Sequence, residues 1–593
     1  MDYTSREVYE YVSKKSNDPI VEWKKCCISW QEFPIYKSDL EFYEKVGPEF
    51  EVSQDFANKF FEENNDVKDS FEYEDWRLKA KIPTPTLCPE EREAQRFSFR
   101  NENHLYRWKC SLSWKNIITT ISPDKDYIIY EYKHWLSDNR EPIEFWVENL
   151  SKKNSLVMAD LLHQVPVRDK FWRNNENSDY VNITKDSKNS YMCFGSSLME
   201  DCLYVSWCVK WETCVDCLFC TNCRDCYECI DMDNCFNLSY SNNCKNCSNS
   251  SYMYNCTNCN DCFNCSNLNN KSHYINDEPH TKEEYLKLLP SLKPETIEIK
   301  QLWLYQVNSE DSFWNSLFNC KKAVFVWTWA WLDNVKYSSA ELSADNCYDT
   351  FTSWHSCIYT ITWAYSYFSW CLVFSFDMKN SRYCVNCFNC TNCFGCVWLK
   401  YKNYCIYNKQ YTKEEYNQIV PKIIAQMIRD KEWWEFFNPQ LSYYWYNETL
   451  AMDYHPMTKE EALKKWYKWS DYESPMPHVE KNIQWKDLPK QWCRIIKEKK
   501  PEILEKILNY AVICEVSQRP FRITKQEIEF YIRHNIPLPT KHPDVRHQER
   551  FARKDPAIMH LIHCDGCWEE MLSVHKPWRW KKVLCEECFY KEI

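Results

Sequence analysis

The sequence predicts a β-rich repeat protein: a duplicated β-solenoid rich in cysteine and asparagine, flanked at both ends by zinc-ribbon-like (treble-clef-like) modules with short helices. Three observations predict it. All sixteen cysteines between Cys193 and Cys265 stand a multiple of three residues apart, as CVDCLFCTNCRDCYEC (214–229) shows. The pentapeptide TKEEY occurs at 281–285 and again at 412–416, each time closing a cysteine-rich block. Two C-x-x-C pairs, Cys564/Cys567 and Cys585/Cys588, lie near the end of the chain.

The triplet rule says more about backbone than about chemistry. Asn or Asp precedes most of the array cysteines, as at Asp216, Asn246, Asn258, Asp261 and Asn264. These residues enter the left-handed region at less cost than other non-glycine residues and hydrogen-bond their own backbone in turns. The chain is therefore expected to bend every third residue while a small side chain points into a narrow, dry core, a role that free cysteine fills well. The expected blocks run from 171 to 292 and from 312 to 423; in the second, Cys357, Cys384, Cys387, Cys390, Cys393, Cys396 and Cys405 share one phase of three. By analogy with hexapeptide helices, a coil of about eighteen residues is expected. The uncharged run at 359–376 is full of Ser, Thr and Tyr and reads as part of the second block, not as a membrane span.

Composition narrows the classes. A formal charge of −11 over 593 residues excludes a chain built throughout to coat nucleic acid. The beginning, MDYTSREVYEYVSKK, lacks the apolar core of a signal peptide, and with 36 cysteines this points to a reducing, cytoplasmic setting in which thiols are ligands or core filler. The chain holds 4 glycines and 29 tryptophans. Average glycine usage of about 7% would give roughly tenfold more. Trp30, Trp114 and Trp568 each follow a knuckle whose turn favours positive φ, and AVFVWTWAWL (323–332) and KPWRWKK (576–582) become ordinary if glycine replaces tryptophan. The expectation is that the source organism reads UGA as glycine and that translation by the common code wrote tryptophan. Peptide masses across Trp578 and Trp580 test it; tryptophan at both ends the idea.

The flanks repeat each other. Residues 82–135 lie on 536–589 without a gap, with identities that include Pro83, Pro85, Arg92, Arg96, Cys110 and Trp114. In the C-terminal copy Cys564, Cys567, Cys585 and Cys588 have the spacing of a four-cysteine structural site, for which one Zn2+ is expected. The N-terminal copy puts Cys110, Ser113, Glu131 and His134 at those places, and serine is a poor ligand, so its ion is expected to be lost. A further module precedes each copy: 26–43 aligns with 514–531, pairing Cys26 with Cys514, with second knuckles at Cys88 and His542 and with Glu91 and Val545 in the fourth place. Cys26, Cys27, Cys88, Cys110, His134, Cys514 and His542 are thus remnant ligand candidates, and a degenerate site from Cys26, Cys27, Cys88 and Glu91 is an alternative. The paired modules are assigned to 1–150 and 511–593, with a helical and linker region at 424–510. Helices are expected over 458–469, 500–513 and 524–535 from their apolar spacing. Arg92, Arg96 and Arg100 fall on one helical face, expected to be solvated or ion-paired.

The run RFSFRNENHLYRWKCSLSWKNIITTISPDKDY (96–127), the x-[ND]-C array, NKQYTKEEY (408–416) and EEALKKWYKWSDYESPMPHVEK (460–481) resemble a group of large uncharacterised cysteine-rich proteins of candidate-phylum bacteria, some of which read UGA as glycine. The resemblance covers nearly the whole chain and implies architecture and origin only. It implies fuller C-x-x-C pairs in the N-terminal module than Ser29, Glu91 and Ser113 provide.

Three function classes remain. The leading expectation is a non-enzymatic, zinc-binding scaffold whose solenoid surface meets a protein partner. Nucleic acid is an alternative partner, through Lys576, Arg579, Lys581 and Lys582 as candidate phosphate contacts, backed by Lys541, Arg546, Arg550, Arg553 and Lys554. The second class is thiol or metal-ion storage, or redox buffering, by the array. The third is an enzyme with a site in a groove between the blocks, for which the sequence offers no Gly-rich phosphate loop and no H-E-x-x-H. No membrane association is expected.

Overall fold

Two long stretches of this chain turn left-handed at every third residue. Each third residue from Asn246 to Asn276 has φ between 48° and 63°, and each third residue from Phe368 to Tyr407 has φ between 47° and 65°. The computed structural model describes residues 2–592 except 138–143, 147–151, 213, 219–226, 229–237, 243, most of 295–365, 474–478, 480, 489–506, 535, 555–557 and 577–580. Much of the second block, including the run 323–331, therefore lies outside the described residues, as do Cys220, Cys223, Cys226, Cys229 and Cys235.

Between corners the backbone is extended and pairs in parallel with the chain twelve residues on: Lys245 with Thr257, Ser248 with Asn260, Arg382 with Phe394 and Val385 with Val397. The offset is twelve residues where about eighteen was expected by analogy. Four left-handed corners, not six, bring the chain back beside itself. The repeat of asparagine at the corners has a second cause here. Stacked corners hydrogen-bond through their side chains, Asn246 Nδ2 to Asn258 Oδ1 at 3.1 Å, Asn255 to Asn267 at 2.6 Å and Asn264 to Asn276 at 2.6 Å.

The inward positions are dry. Every described array cysteine from Cys193 to Cys265 is at most 1% exposed, as are Cys384, Cys387, Cys390, Cys393, Cys396 and Cys405. Their thiols have partners of a repeating kind: Cys244 donates to the Asn242 carbonyl at 3.2 Å, Cys247 to Lys245 at 3.3 Å and Cys256 to Tyr254 at 3.3 Å. Inward serines make the same bond, Ser241 to the Ser239 carbonyl at 2.9 Å and Ser250 to Ser248 at 2.7 Å. A protonated thiol or a hydroxyl thus satisfies the carbonyl two residues back, which is why Cys and Ser share this phase.

Both stretches close alike. A two-residue antiparallel hairpin, Tyr274–Ile275 with Glu278–Pro279, precedes the helix Lys282–Leu288, and Cys405–Ile406 with Lys409–Gln410 precedes Lys413–Arg429. Each helix starts in a capping box, Thr281 with Glu284 and Thr412 with Glu415, in which hydroxyl and carboxylate each take one orphan amide. TKEEY is a stop signal for one pattern and a start signal for the next.

With helices between them, the sheets are small, two to four strands each, and the molecule is mixed α/β. The run at 359–376 contributes to parallel strands, Cys357–Ile361 and Ser369–Val373, the latter beside Arg382–Val385. Among the described residues no helix is long and apolar enough to cross a membrane. The expected helices at 458–469 and 524–535 are seen as Lys459–Lys464 and Lys525–His534. Of that expected over 500–513, residues 500–506 lie outside the described residues, Ile507 and Leu508 are helical, and Tyr510–Ile513 is instead a strand taken up by Lys481–Gln484 and Pro520–Phe521. Sheet pairing overrides its apolar spacing.

Among the described residues positive φ also falls on eight tryptophans: Trp30, Trp76, Trp114, Trp207, Trp398, Trp434, Trp466 and Trp568. Five of them, Trp30, Trp76, Trp114, Trp466 and Trp568, are at least 66% exposed, so packing offers little to offset the strain. Left-handed backbone costs an L-residue about 1–2 kcal/mol and glycine nothing comparable. Trp30→Gly, Trp114→Gly and Trp568→Gly are each expected to stabilise the chain by about 1 kcal/mol in thermal unfolding; uniform destabilisation would mean the indoles are needed where they stand. At Gly395, φ +63°, a Cβ would sit 2.4 Å from the Tyr407 ring. Gly395→Ala is expected to lower stability by about 2–3 kcal/mol, read by the same melts.

Candidate metal centre

Four modules share one local construction. Each opens with a hairpin whose tip is a knuckle: strands Ile20–Lys25 and Glu32–Tyr36, Tyr106–Lys109 and Asn116–Thr119, Tyr510–Ile513 and Pro520–Phe521, His560–His563 and Glu570–Ser573. In each, the knuckle cysteine amide donates to the carbonyl five residues on: Cys26 to Gln31 at 2.8 Å, Cys110 to Lys115 at 2.9 Å, Cys514 to Arg519 at 3.0 Å and Cys564 to Glu569 at 2.9 Å. The residue four after the cysteine is left-handed every time, at Trp30, Trp114, Gln518 and Trp568. The next residue ties the knuckle to a second segment that enters a helix: Cys27 to Thr86, Ser111 to Ile129, Glu515 to Thr540 and Asp565 to Val583, with the helices Pro89–Phe97, Tyr132–Leu136, Pro543–Phe551 and Glu586–Glu592 following.

In the last module the ligand atoms meet. The sulfurs of Cys564, Cys567, Cys585 and Cys588 lie within 4.8 Å of one another, with Cys567 and Cys585 at 3.6 Å. Zinc–sulfur bonds of about 2.3 Å in a tetrahedron place sulfurs about 3.8 Å apart, so the cluster can hold one metal ion and its four thiols suit zinc. Cys564 is fully buried, which opposes ionisation. Amide donation from Cys585, Cys567 and Gly566 outweighs that burial and brings its thiol down to about 6. Two of these bonds are seen directly, from Cys585 N at 3.2 Å and Gly566 N at 3.3 Å.

The other three modules keep the frame and fill the fourth corner otherwise. In the first, hydrogen bonding with Cys88 brings the Cys26 thiol down to about 5, and Ser29 Oγ lies 3.6 Å from the Cys88 sulfur. Glu91 is taken instead by the Tyr3 hydroxyl at 2.6 Å and the Lys465 ammonium at 2.5 Å. Cys27 points elsewhere, exposed, with its sulfur 3.8 Å from Thr86 Oγ1. In the second module Cys110 accepts from the Glu131 amide at 3.3 Å and the Ser113 amide at 3.4 Å, while His134 lies 3.7 Å from Glu131. In the third, Cys514 accepts from the Ser517 amide at 3.4 Å, and His542 Nδ1 accepts from the Asp544 amide at 3.1 Å, capping its helix. Among the described residues only the last module gathers three or more ligand side chains this closely.

The basic residues are mostly engaged. Lys581 Nζ is 3.0 Å from His575 Nδ1, Lys582 pairs with Glu592 at 3.7 Å, Lys576 is exposed, and Arg579 lies outside the described residues. Lys541 pairs with Glu549 at 2.7 Å, Arg553 with Glu228 at 3.6 Å, and Lys554 reaches the Tyr454 hydroxyl at 3.1 Å. Arg546 and Arg550 are 5% and 3% exposed. Both grip Asp216 of the first ladder, whose described parallel pairs run from Trp172 with Thr184 to Phe263 with Ile275, and Arg546 also meets Glu527 at 3.1 Å and Tyr531 at 3.0 Å. These two arginines dock the third module and are withdrawn from any phosphate surface. Their N-terminal counterparts Arg92 and Arg96 are likewise buried, at 4% and 1%, and Arg100, fully buried, pairs with Glu102 at 2.6 Å. Of the solvated or ion-paired face expected from their spacing, the solvated form is not seen: the face is interior, and Arg100 on it is ion-paired. Helical periodicity marks a face but not what covers it.

A cleft of about 1080 Å³ lies between the second module's hairpin and the start of the first ladder, with Arg107, Lys109, Asp169, Lys170, Asp179 and Tyr180 on its walls. Two of its cations are engaged locally: Lys170 donates to the Asp179 carbonyl, and Arg107 to the Tyr180 hydroxyl at 3.1 Å. No protein-family model, curated protein or solved structure matches this chain.

Proposed function

We propose that the chain is a non-enzymatic scaffold: two solenoid blocks, of which the twelve-residue ladders are the described parts, present an extended surface to a protein partner, and one structural zinc holds the last module together. The observation that carries this reading is the contrast between two kinds of cysteine. Four thiols converge at the end of the chain, whereas the array thiols bond neighbouring carbonyls in a repeat that serine can occupy. Convergence is what an ion needs, and repetition is what a filled core needs.

The burial of Arg546 and Arg550 on Asp216 supports a protein partner over nucleic acid, because it removes two cations from the basic patch. Elemental analysis of the purified chain tests the scaffold reading against storage. One zinc per chain is expected; many thiophilic ions per chain would favour the storage reading. Cys247→Ser is expected to leave the zinc content unchanged and to cost no more than about 1–2 kcal/mol in thermal unfolding, because the hydroxyl can take over the bond to the Lys245 carbonyl.

A further inference from the structure

The two TKEEY helices are built alike and keep different company. Each starts in its capping box and meets a proline nine residues after the capping threonine, at Pro290 and Pro421. In the second, Lys413, Asn417, Val420 and Ile424 fall on one face of the helix Lys413–Arg429. The strand Glu49–Glu51 lies against that helix. Lys413 pairs with Glu51 at 2.6 Å, Asn417 Nδ2 donates to the Glu51 carbonyl at 3.2 Å, and Val420 and Ile424 are fully buried. Phe50, between the two glutamates of the strand, is buried as well.

In the first, the same places hold Lys282, Leu286, Leu289 and Lys293, and they are open. Leu286 is 57% exposed and Leu289 40%, whereas Val420, the counterpart of Leu289, is wholly covered. Lys282, Lys287 and Lys293 are exposed and have no acidic partner among the described residues. Glu284 is spent on the amide and hydroxyl of Thr281, both at 2.9 Å, so on the segment 281–293 Glu283 is the one carboxylate left against these lysines. A single exposed leucine needs no explanation. A pair flanked by unpaired lysines, on a face that the twin helix keeps covered, marks an interaction surface.

We propose that this face docks a protein partner through an acidic, extended segment of the kind that Glu49–Glu51 provides to the twin helix, with a carboxylate against Lys282 and a large apolar side chain over Leu286 and Leu289. The proposal rests on the scaffold reading and gives its partner a place and a chemistry. The twin helix shows that a strand fits the face, and the surplus of lysines selects an acidic one. Leu286 stands where Asn417 binds the strand's carbonyl, so here apolar contact and charge replace a hydrogen bond to the backbone. The chain's own strand is already engaged on the twin helix, which leaves this face to a segment from elsewhere.

Fluorescence anisotropy of a labelled peptide of residues 47–67, titrated with the full, zinc-loaded chain, tests this. Saturable binding that weakens with added salt is expected. Leu289→Asp is expected to abolish it and Lys282→Glu to weaken it about fivefold, with unfolding temperature and zinc content unchanged because both side chains are exposed. A peptide carrying Glu51→Lys should bind the Lys282→Glu chain better than the parent chain, a reversal that only a direct pairing of the two positions produces. Absence of saturable binding, or binding that both variants leave intact, overturns the proposal, while zinc content still judges the scaffold on its own. A concentration-dependent dimer that Leu289→Asp dissociates overturns it as well, by assigning the face to a second copy.

Discussion

Cys585→Ser is expected to lose the metal and to unfold the last module, with the rest of the chain intact. The reason is size. The module's own core consists of Cys564, Met571, Val583, Leu584 and Phe589, with few neighbours packed against it. A unit of under about 40 residues seldom closes without a metal or a disulfide, and a structural zinc contributes about 10–16 kcal/mol of apparent binding free energy. Removing one thiolate leaves three ligands and an open position. Limited proteolysis should then start between 558 and 592 in the variant and elsewhere in the parent chain. A Cys585→Ser protein that retains stoichiometric zinc and the parent cleavage pattern would mean that the four sulfurs do not act as one site.

Asp216→Ala should cost about 3–5 kcal/mol, the range for stripping one partner from a buried ion pair. Asp216 is fully buried at a left-handed corner with φ 56°, and its two oxygens are divided between Arg546 and Arg550. Alanine removes both acceptors, leaves Arg546 with Glu527 and the Tyr531 hydroxyl, and meets the corner less well than Asp does. Asp216→Asn keeps the corner and the size but not the charge, so it should cost less. The loss should appear first as detachment of the third module, which packs Phe521, Ile528 and Tyr531 against Leu203, Val215 and Tyr227 of the ladder. Thermal unfolding that shifts by less than about 1 kcal/mol would show that the docking rests on apolar contact alone.

What could be read in the sequence was whatever repeats within reach of one residue. The left-handed corner recurs every third position because one backbone state selects Asn and Asp, and inward thiols follow from it by simple phase. The number of corners per turn could not be read the same way. A triplet period sets the side, and the pairing of Lys245 with Thr257 sets the turn. The knuckles were legible because the same local bonds recur around a knuckle cysteine in all four modules.

The arginines were not legible, since a charge on a helical face says nothing of an acid 330 residues away, which is the separation of Asp216 from Arg546. Cys27 misled for a related reason. Adjacent cysteines look like two ligands, yet in a knuckle the second points away from the first, and here it meets Thr86. The capture of Glu91 left no trace in the sequence, because Glu91 reads there as a failed fourth ligand and its captor, Lys465, comes from the far side of the chain.

Thiol alkylation of the native, zinc-loaded chain, mapped by peptide mass, puts the two kinds of cysteine to the most direct trial. Among the described cysteines, Cys27 should react promptly as the exposed thiol outside the metal cluster, Cys567, Cys585 and Cys588 only after a chelator is added, and the peptides spanning 244–265 and 384–405 only on unfolding. Labelling of those array peptides at the rate of Cys27 would contradict a dry, filled core and with it the scaffold.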